Sequence, residues 1–507
     1  MILTCAQMKA QEERAFQDGC TPEGLMEEAG LRIALAVRQF VPEAGRCAVF
    51  FGKGHNGGDA LVAARHLAEA GWKIDLQPAF RRSAWAELTA RKFDELQARG
   101  ITLSAEETDF RRLADWRPTA VLDGLLGIGA SGALRAPISD ATLAINRIRA
   151  FSNARVFAID LPTGLDADSG AVDPNTVTAD CTVTIGFAKT GLLADSATAF
   201  VGRLAVLPLP GLHFRGASDP PAAEVADPQT LGPLLPRRPF TMHKGQCGRI
   251  GIIAGSAGFL GAAVLAAEAC VHAGAGLVTL HVTPDIYPFI ASRVATEVMA
   301  HSTASFEEIL DFRHDVLAIG PGLGRGRGSK VLSLIEKAPQ PMVVDADGLN
   351  LLAPHIELLA KCAGPRLLTP HPGEMARLLS KGESAAIDGK TSRREIVEKF
   401  TAQWPVALLL KGARTIIGER GRPFSYNTTG SPGMATGGMG DVLTGVCAAL
   451  AGQGLALYDA ARLGAWLCGR AAEIAIESGR ESEESLSAGR LSPRFGQAFK
   501  ELRERCW

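Results

Sequence analysis

The sequence has no excess of charge of either sign. Its 53 lysines and arginines stand against 54 aspartates and glutamates, so the formal net charge is −1 over 507 residues. Nucleic acids and anionic membrane surfaces attract proteins through a strongly basic field. We therefore expect neither of them as a partner.

Paired cysteines are the second absence. The ten cysteines include no CxxC pair, and no cysteines and histidines have the spacing of metal ligands. Several cysteines lie in apolar runs, as buried free thiols do. A disulfide framework is not expected, and a reduced, cytoplasmic setting is favoured.

Targeting and membrane-spanning segments are the third absence. The amino-terminal stretch has no basic start followed by an apolar run, so we expect no secretory signal. Residues 250–267 are uncharged over 18 positions, which reaches the length of a candidate membrane helix. Glycine or serine interrupts this run at positions 251, 255, 256, 258 and 261. The pattern predicts a strand, a turn and a helix of a soluble protein.

The length and composition are those of an ordinary globular protein with more than one domain. At roughly 100–200 residues per domain, 507 residues predict two or three domains. Apolar residues make up 47% and charged residues 21%, which is typical of soluble folds. Residues 208–240 hold many prolines and no sustained period, so we predict domains at 1–215 and 239–507 with a linker at 216–238.

Short apolar runs in the first half end at polar turns. Three of them are followed by polar side chains: Asn56 and Asp59 after residues 47–51, Asp123 after residues 119–122, and Asp160 and Thr163 after residues 155–159. The carboxyl ends of parallel strands share one sheet edge, where ligands bind. Their oxygens suit a hard cation. A lone aspartate at a strand end is usually a helix cap, and Asn56 with Asp59 also fits an Asx turn. The evidence for a ligand or cation site is therefore the convergence of three such strand ends.

One stretch of the second half, Asn427–Leu450, reads NTTGSPGMATGGMGDVLTGVCAAL. It predicts a glycine-rich loop that opens directly into a buried helix. Glycines allow close backbone approach, and a helix start presents unpaired N–H groups and the positive end of its dipole. A phosphate fits there, with Asp441 placed to take a proton from a substrate hydroxyl. The alternative is a glycine-rich turn with an acidic cap.

Three segments of the first half, GKGHNGGDALVAARHL, VLDGLLGIGASG and AIDLPTGLDADSG, resemble the signature loops of the NAD(P)H-hydrate epimerase domain. The resemblance covers about residues 1–215 and implies a Rossmann-like α/β domain. It implies a potassium ion held by Asn56, Asp123 and Thr163, and Asp160 as the acid–base group for inversion at C6 of the hydrated ring. The implied substrate contacts are His55, Asn56, Gly57, Gly58, Asp59, Gly127, Ile128, Gly129, Ala130, Ser131, Gly132, Ala133 and Asp160.

The second half resembles the NAD(P)H-hydrate dehydratase domain, which has a ribokinase-like α/β/α fold, over about residues 240–490. The matching motifs are HKGQCG, GSAGFLGAA, GPGLG, DADGLN, TPHPGE, KGARTII and GMATGGMGD. The resemblance implies Mg²⁺ and ADP, with AMP and phosphate released. The implied nucleotide contacts are Lys411, Gly412, Ala413, Arg414, Thr415 and Gly440, and the implied hydrate contacts are Ala262, Gly324, His371 and Asp441.

The chemistry of dehydration supports a role for the glycine-rich loop. Hydroxide leaves slowly from C6 of a hydrated dinucleotide, whereas a phosphate ester leaves readily. Making that ester requires a base, for which Asp441 is the candidate, and a cradle for the transferring phosphoryl group, for which the N–H groups of Gly437–Gly440 are the candidates. Positioning and charge stabilisation do most of the work in such transfers.

Several alternatives stay open. The second half alone also fits a small-molecule kinase, fused to a nucleotide-binding regulatory domain, and a non-enzymatic nucleotide-binding regulator is a third possibility. His371 fits a structural turn as well as a substrate contact. Asp345 and Asp347 fit turn residues or groups near a magnesium ion. Spacing does not distinguish ADP from ATP or hydrated NADH from hydrated NADPH, and a homo-oligomer is expected.

Overall fold

The computed structural model describes residues 1–103, 116–130, 132–214, 221–235, 237–324, 326, 328–381 and 391–504. The chain divides into two compact units, Met1–Pro221 and Ala222–Cys506. The strand Ala223–Ala226 and the short helix Pro228–Leu231 belong to the second unit. The structure thus places much of the predicted linker, residues 216–238, inside the fold of the second unit.

A parallel sheet forms the centre of the first unit. Its strands are β1 (Ile2–Leu3), β2 (Arg46–Phe51), β3 (Lys73–Pro78), β4 (Ala120–Gly124), β5 (Arg155–Ile159), β6 (Cys181–Ile185), β7 (Ala188–Lys189) and β8 (Arg203–Leu207). Six of them pair in the order β3–β2–β4–β5–β6–β8, all parallel. The two short strands β1 and β7 pair with each other.

Helices cover both faces of this sheet. They are α1 (Cys5–Gln17), α2 (Pro22–Phe40), α3 (His55–Glu69), α4 (Glu87–Gln97), α5 (Ile138–Ser152) and α6 (Thr198–Val201). Because side chains alternate along a strand, Val49 and Phe51 of β2 pack with α2, α3 and α4, whereas Ala48 and Phe50 pack with α5. The unit has the predicted Rossmann-like three-layer fold, and the carboxyl ends of β2, β4 and β5 lie side by side.

A ten-stranded sheet forms the centre of the second unit. Its strands are β9 (Ala223–Ala226), β10 (Arg249–Ile253), β11 (Leu277–Val282), β12 (Val298–Ser302), β13 (Val316–Ile319), β14 (Met342–Val344), β15 (Arg366–Leu368), β16 (Ala407–Leu410), β17 (Ile416–Gly418) and β18 (Phe424–Asn427). They pair in the order β12–β11–β10–β13–β14–β15–β16–β17–β18–β9. Among the described strands of this sheet, only β17 runs antiparallel to its neighbours.

The helices of the second unit complete the predicted ribokinase-like α/β/α arrangement. They are α7 (Pro228–Leu231), α8 (Leu260–His272), α9 (Tyr287–Ala291), α10 (Gly328–Lys337), α11 (Ala346–Leu352), α12 (Pro372–Leu379), α13 (Arg393–Gln403), α14 (Met439–Gly452), α15 (Leu457–Glu477) and α16 (Phe495–Glu504). Every residue of α14 from Val442 to Ala451 is buried, and this helix shares a core with α8 and α15. The prediction of a loop that opens into a buried helix is confirmed.

Two further predictions about the uncharged run and the cysteines are confirmed. The run over residues 250–267 is strand β10, a turn and the start of α8. Within the described ranges, no helix has the length and apolar character needed to cross a membrane. The nine cysteines that the structure describes are all unpaired.

Candidate active sites

The start of α14 forms one wall of the site in the second unit. Gly438 precedes the helix with φ +90°, a left-handed conformation that L-residues rarely adopt. A Cβ atom on Gly438 would also lie 2.6 Å from Cδ1 of Leu265. Asp441 lies in the first turn of α14, where the backbone N–H groups have no intrahelical partner. The glycine therefore allows the loop to turn sharply into a helix start that can receive an anion.

A buried ion pair lies beneath this helix start. Nζ of Lys411 donates a hydrogen bond to Oδ1 of Asp345 at 2.7 Å, and Oε2 of Glu374 is 3.7 Å from the same nitrogen. The other carboxylate oxygen of Asp345 accepts a hydrogen bond of 2.7 Å from the hydroxyl of Thr444, in α14. Asp345 therefore joins the ends of β14 and β16 to α14, a role beyond that of a turn residue.

Gly440 lies directly over this pair. A Cβ atom on Gly440 would lie 3.2 Å from Nζ of Lys411 and 3.5 Å from Oδ2 of Asp345. The absence of a side chain leaves the ammonium group open to the space in front of α14. The predicted nucleotide contacts Lys411 and Gly440 thus lie together beside Asp441.

The pKa of Asp441 is unusually high for an aspartate. Burial and the neighbouring Asp345 raise the pKa of Asp441 to about 6, Asp347 and Glu374 add to the rise, and Lys411 opposes it. Burial alone would lower the pKa of Lys411, but Asp345, Glu374 and Asp441 raise it, so the lysine stays charged. A carboxylate that titrates this close to neutral pH is a stronger base than an exposed aspartate.

The predicted hydrate contacts Ala262 and Gly324 lie in the first turn of α8 and in the loop after β13, respectively. The hydroxyl of Ser256 donates a hydrogen bond of 2.7 Å to the carbonyl oxygen of Gly322, which joins the loop after β10 to the loop after β13. Oδ2 of Asp347 accepts a hydrogen bond of 2.8 Å from the backbone N–H of Gly324. Asp347 therefore fixes the loop that carries Gly324.

His371 caps helix α12. Its Nδ1 accepts hydrogen bonds from the backbone N–H groups of Gly373 and Glu374 at 3.0 and 3.3 Å, and the Glu374 carboxylate accepts one from the N–H of His371 at 2.9 Å. This reciprocal pattern is a capping box. The side chain of His371 is 51% exposed, so it retains a free edge, and its contact with the hydrate stays a prediction.

The remaining predicted nucleotide contacts form the turn between β16 and β17. The guanidinium of Arg393 donates a hydrogen bond of 2.8 Å to the carbonyl oxygen of Ala413. The hydroxyl of Thr415 donates one of 3.0 Å to the carbonyl oxygen of Gly412. Arg414 is buried in the same turn. Their contact with a nucleotide stays a prediction.

In the first unit, the three predicted potassium ligands belong to one hydrogen-bonded network. The buried Asp123 carboxylate accepts from the backbone N–H and the hydroxyl of Thr163 at 2.8 and 2.7 Å. The Thr163 hydroxyl accepts from the N–H of Leu126 at 3.2 Å. Nδ2 of Asn56 donates to the carbonyl oxygens of Leu126 and Ile159 at 2.9 and 3.2 Å. The sequence-based grouping of these three residues therefore matches their placement.

Asp123 is a buried acid with no basic partner among the residues that the structure describes. Burial raises its pKa to about 6, although hydrogen bonds from Thr163 and Leu125 oppose the rise. Across the described ranges, no lysine, arginine or histidine forms an ion pair with it. The surrounding oxygens, from a carboxylate, a hydroxyl, a side-chain amide and backbone carbonyls, are the donors that a hard cation prefers. These residues fit a monovalent cation.

Asp160 forms a second buried ion pair. Its Oδ1 accepts hydrogen bonds from Nζ of Lys189, from the backbone N–H of Ile185 at 3.2 Å and from the hydroxyl of Thr184 at 3.3 Å. Nζ of Lys189 also donates to the carbonyl oxygen of Ile185 at 2.9 Å. Asp160 has φ +69°, which turns the chain sharply at the end of β5. The site thus holds an acid and a base in direct contact.

The charges of this pair change the pKa values of two more carboxylates. Burial, followed by the charge of Asp160, raises the pKa of both Asp59 and Glu12, and Lys189 opposes the rise in each case. Neither Lys189 nor Glu12 was assigned a role from the sequence. The strand-end position was a usable signal for Lys189, but Glu12 lies on α1 in no recognisable motif.

The loop after β4 borders a cavity of about 760 Å³. Ala130, Gly132 and Ala133 line it, opposite Gly164 and Asp173 in the loop after β5. This cavity is large enough for part of a dinucleotide. The predicted contact Ser131 lies outside the described residues.

The other predicted substrate contacts surround Asn56. His55 is exposed at the start of α3, whereas Gly57 and Gly58 are buried in its first turn. Gly127 packs beside Asn56, since a Cβ atom on it would lie 3.4 Å from Cβ of Asn56. Ile128 is partly buried, and Gly129 is exposed. Their contacts with a substrate stay predictions.

Comparisons with known proteins match both units. The family described as NAD(P)H-hydrate dehydratase matches residues 250–493, and the family described as YjeF-related protein N-terminus matches residues 22–191. A protein of Moorella thermoacetica named bifunctional NAD(P)H-hydrate repair enzyme Nnr is 36% identical over 99% of this chain and 97% of its own length. The protein of the same name from Coxiella burnetii is 35% identical over 96% and 97%.

A solved structure is also similar to part of this chain. It is the ADP/ATP-dependent NAD(P)H-hydrate dehydratase of Bacillus subtilis, co-crystallised with ATP and Mg²⁺, which is 27% identical over 56% of this chain and 100% of that chain, with a TM-score of 0.46. The full-length relatives place both units in one protein of a single type, which disfavours a kinase fused to a regulatory domain. This chain belongs to the family of bifunctional NAD(P)H-hydrate repair enzymes.

Proposed function

We propose that this chain repairs hydrated NADH and NADPH in two steps. The first unit interconverts the R and S epimers of the hydrate at C6, and the second unit dehydrates the S epimer with ADP, which yields AMP and phosphate. The observation that carries the proposal is the position of Asp441, a base with a pKa of about 6, beside the Lys411–Asp345 pair and at a helix start. The two units then act in succession on one damaged coenzyme.

Different groups of the second unit take the proton and neutralise charge during phosphoryl transfer. Asp441 takes the proton of the C6 hydroxyl as its oxygen attacks the terminal phosphorus of ADP, and AMP leaves. Lys411 and the N–H groups of Gly437–Gly440 neutralise charge on the transferring group. The lone pair of the ring nitrogen then expels phosphate from C6, and loss of a proton from C5 restores the dihydropyridine.

Magnesium accompanies ADP in this proposal. Among the residues that the structure describes, no group of three or more His, Cys, Asp or Glu side chains is arranged to hold a metal ion. Mg²⁺ commonly binds through substrate phosphates and only one or two carboxylates, so such a group is not required. Glu374 and Asp347 are carboxylates near Asp441 that could complete the coordination of the Mg²⁺ ion.

The acid–base pair of the first unit suits epimerisation. C6 of the hydrate carries both a hydroxyl group and the ring nitrogen. Asp160 takes the hydroxyl proton, the C6–N bond opens to an aldehyde, and the Lys189 ammonium supplies a proton to the nitrogen. Closure on the other face of the carbonyl reverses these transfers and inverts C6.

We also propose that Asn56, Asp123 and Thr163 hold a potassium ion. The support is the buried Asp123 carboxylate, which has a raised pKa and no basic partner among the described residues. A cation there would supply the missing positive charge. A cytoplasmic location and a homo-oligomeric state stay predictions.

Potassium chloride should raise the unfolding temperature and the epimerisation rate above their values in tetramethylammonium chloride at the same ionic strength. A ligand that binds only the folded state stabilises it by mass action. Asp123→Asn removes the buried charge and should abolish both effects. Identical responses of the wild type and Asp123→Asn to potassium would contradict a cation at this site.

Turnover of the hydrate tests the proposed function directly. Hydrated NADH is incubated with Mg²⁺ and either ADP or ATP, while reduced-nicotinamide absorbance, inorganic phosphate and the nucleotide products are followed. We expect ADP to restore the absorbance with one AMP and one phosphate released per coenzyme. A stable phosphorylated product without restored absorbance would indicate a kinase instead.

A further inference from the structure

The second unit contains a cavity that has no role in the site described above. It has a volume of about 520 Å³ and lies among α10, α11 and α12. Its polar lining consists of Ser329, Asn350, His355 and Arg377, and none of the described lining residues is acidic. Arg377 gives the cavity a positive charge, which favours an anionic ligand.

Two polar atoms of the lining form no hydrogen bond with any described residue. Nε of Arg377 and Oδ1 of Asn350 are both buried, and neither has a partner in the part of the chain that the structure describes. Buried polar atoms in folded proteins are nearly always hydrogen-bonded. Two polar side chains of the lining, Arg377 and Asn350, therefore have hydrogen-bonding capacity that the described residues do not satisfy.

The start of α10 adds further donors. This helix runs over ten residues from Gly328, and both Gly328 and Ser329 line the cavity. The first N–H groups of an α-helix have no intrahelical partner and favour phosphate. An arginine beside a helix start is a combination that suits a phosphate ester.

The cavity adjoins the proposed dehydratase site through one side chain. Nδ2 of Asn350 donates a hydrogen bond of 3.4 Å to Oδ1 of Asp347, and Oδ2 of Asp347 accepts one of 2.8 Å from the N–H of Gly324. Gly324 is a predicted contact of the hydrate. A dinucleotide whose hydrated ring lies near Gly324 and Asp441 has a second, phosphate-bearing half that must lie elsewhere.

We propose that this cavity binds the phosphate-bearing half of the hydrated dinucleotide, the part remote from the nicotinamide ring. Arg377 and the N–H groups at the start of α10 donate hydrogen bonds to a phosphate oxygen. This inference rests on the proposed function. The volume falls within the range of about 300–1,000 Å³ that is usual for small-molecule sites.

The experiment compares two substrates in the wild type and in Arg377→Gln. One is hydrated NADH, and the other is the hydrate of reduced nicotinamide mononucleotide, which lacks the remote half. A charge-assisted hydrogen bond supports a rise of about 10- to 100-fold in KM for hydrated NADH, with kcat unchanged. The KM values for the mononucleotide hydrate and for ADP should not change.

Two further variants strengthen the comparison. Ser329→Asp adds a negative charge to the cavity without touching Asp347, and it should raise KM for hydrated NADH in the same selective way. Arg480→Gln changes an exposed arginine of the same unit and should alter none of the KM values. An unchanged unfolding temperature of Arg377→Gln shows that the variant folds.

Three outcomes would overturn the proposal: an equal rise in KM for both hydrates, a rise in KM for ADP in place of the hydrate, and no change at all. A rise for ADP would assign the cavity to the nucleotide. Failure of the proposed function is a different result, because the wild type would then restore neither reduced dinucleotide nor reduced mononucleotide.

Discussion

Asp441→Asn should lose ADP-dependent dehydration, with kcat lower by about 10²–10⁴-fold or more, the usual contribution of a general base. Asparagine has nearly the same shape as aspartate but cannot take the proton of the C6 hydroxyl. The Lys411–Asp345 pair and the start of α14 stay intact in this variant, so ADP should bind normally. Single-turnover measurement of restored absorbance, with calorimetric titration of ADP, separates chemistry from binding.

The first unit of the same chain provides the control for Asp441→Asn. Epimerisation of the purified R hydrate should proceed at the wild-type rate, because the variant leaves Asp160 and Lys189 unchanged. Undiminished dehydration by Asp441→Asn, with normal ADP binding, would show that another group acts as the base.

Asp160→Asn should lose epimerisation to a similar extent, about 10²–10⁴-fold. The amide cannot take a proton from the substrate, and it leaves the buried ammonium of Lys189 without a counter-charge. Removing one partner of a buried ion pair costs about 3–5 kcal/mol of folding free energy. The measurement is the rate at which chromatographically separated R hydrate converts to S, together with the unfolding temperature.

Thr184→Val is the matched variant for Asp160→Asn. It removes the hydroxyl that donates to the Asp160 carboxylate at 3.3 Å and accepts from Nζ of Lys189 at 3.1 Å, and it leaves both charges of the pair in place. A hydrogen bond to a charged group contributes about 1.5–3 kcal/mol, so epimerisation should fall by no more than about 100-fold. If Thr184→Val and Asp160→Asn lost activity equally, the acid–base role of Asp160 would be wrong and a structural role would explain both.

The sequence predicted the positions that depend on local pattern. Asn56, Asp123 and Thr163 each follow an apolar run, and because the strands are parallel, their side chains meet at one edge. The structure around Asp441 also follows from residue types. Glycine at position 438 permits the positive φ, and the apolar run after Asp441 predicts a buried helix.

Pairings between distant residues could not be predicted in this way. Asp345 and Lys411 are 66 positions apart, and Asp160 and Lys189 are 29 apart, and no local pattern states which charge faces which. The pairing of β9 with β18 joins segments some 200 positions apart through strands of four residues each, within a proline-rich stretch that predicted a linker. Tertiary context decides these contacts.

His371 shows a different limit. Its position between two prolines predicted a rigid histidine but left open whether it served a turn or a substrate. The structure gives it a capping role at α12 through bonds to the backbone of Gly373 and Glu374. Histidine is not one of the usual N-cap residues, so Glu374 three positions later did not identify a capping box from the sequence.

The most direct test of two sites acting in succession mixes the two inactive variants. An equilibrated mixture of R and S hydrates is given to Asp441→Asn, to Asp160→Asn and to both together, with ADP present. We predict no restored coenzyme with the first, rapid restoration of the S fraction alone with the second, and rapid restoration of the whole mixture with both. The measurement is made within a time too short for uncatalysed epimerisation of the R hydrate. If the combined variants restore only the S fraction in that time, the two sites do not act in succession.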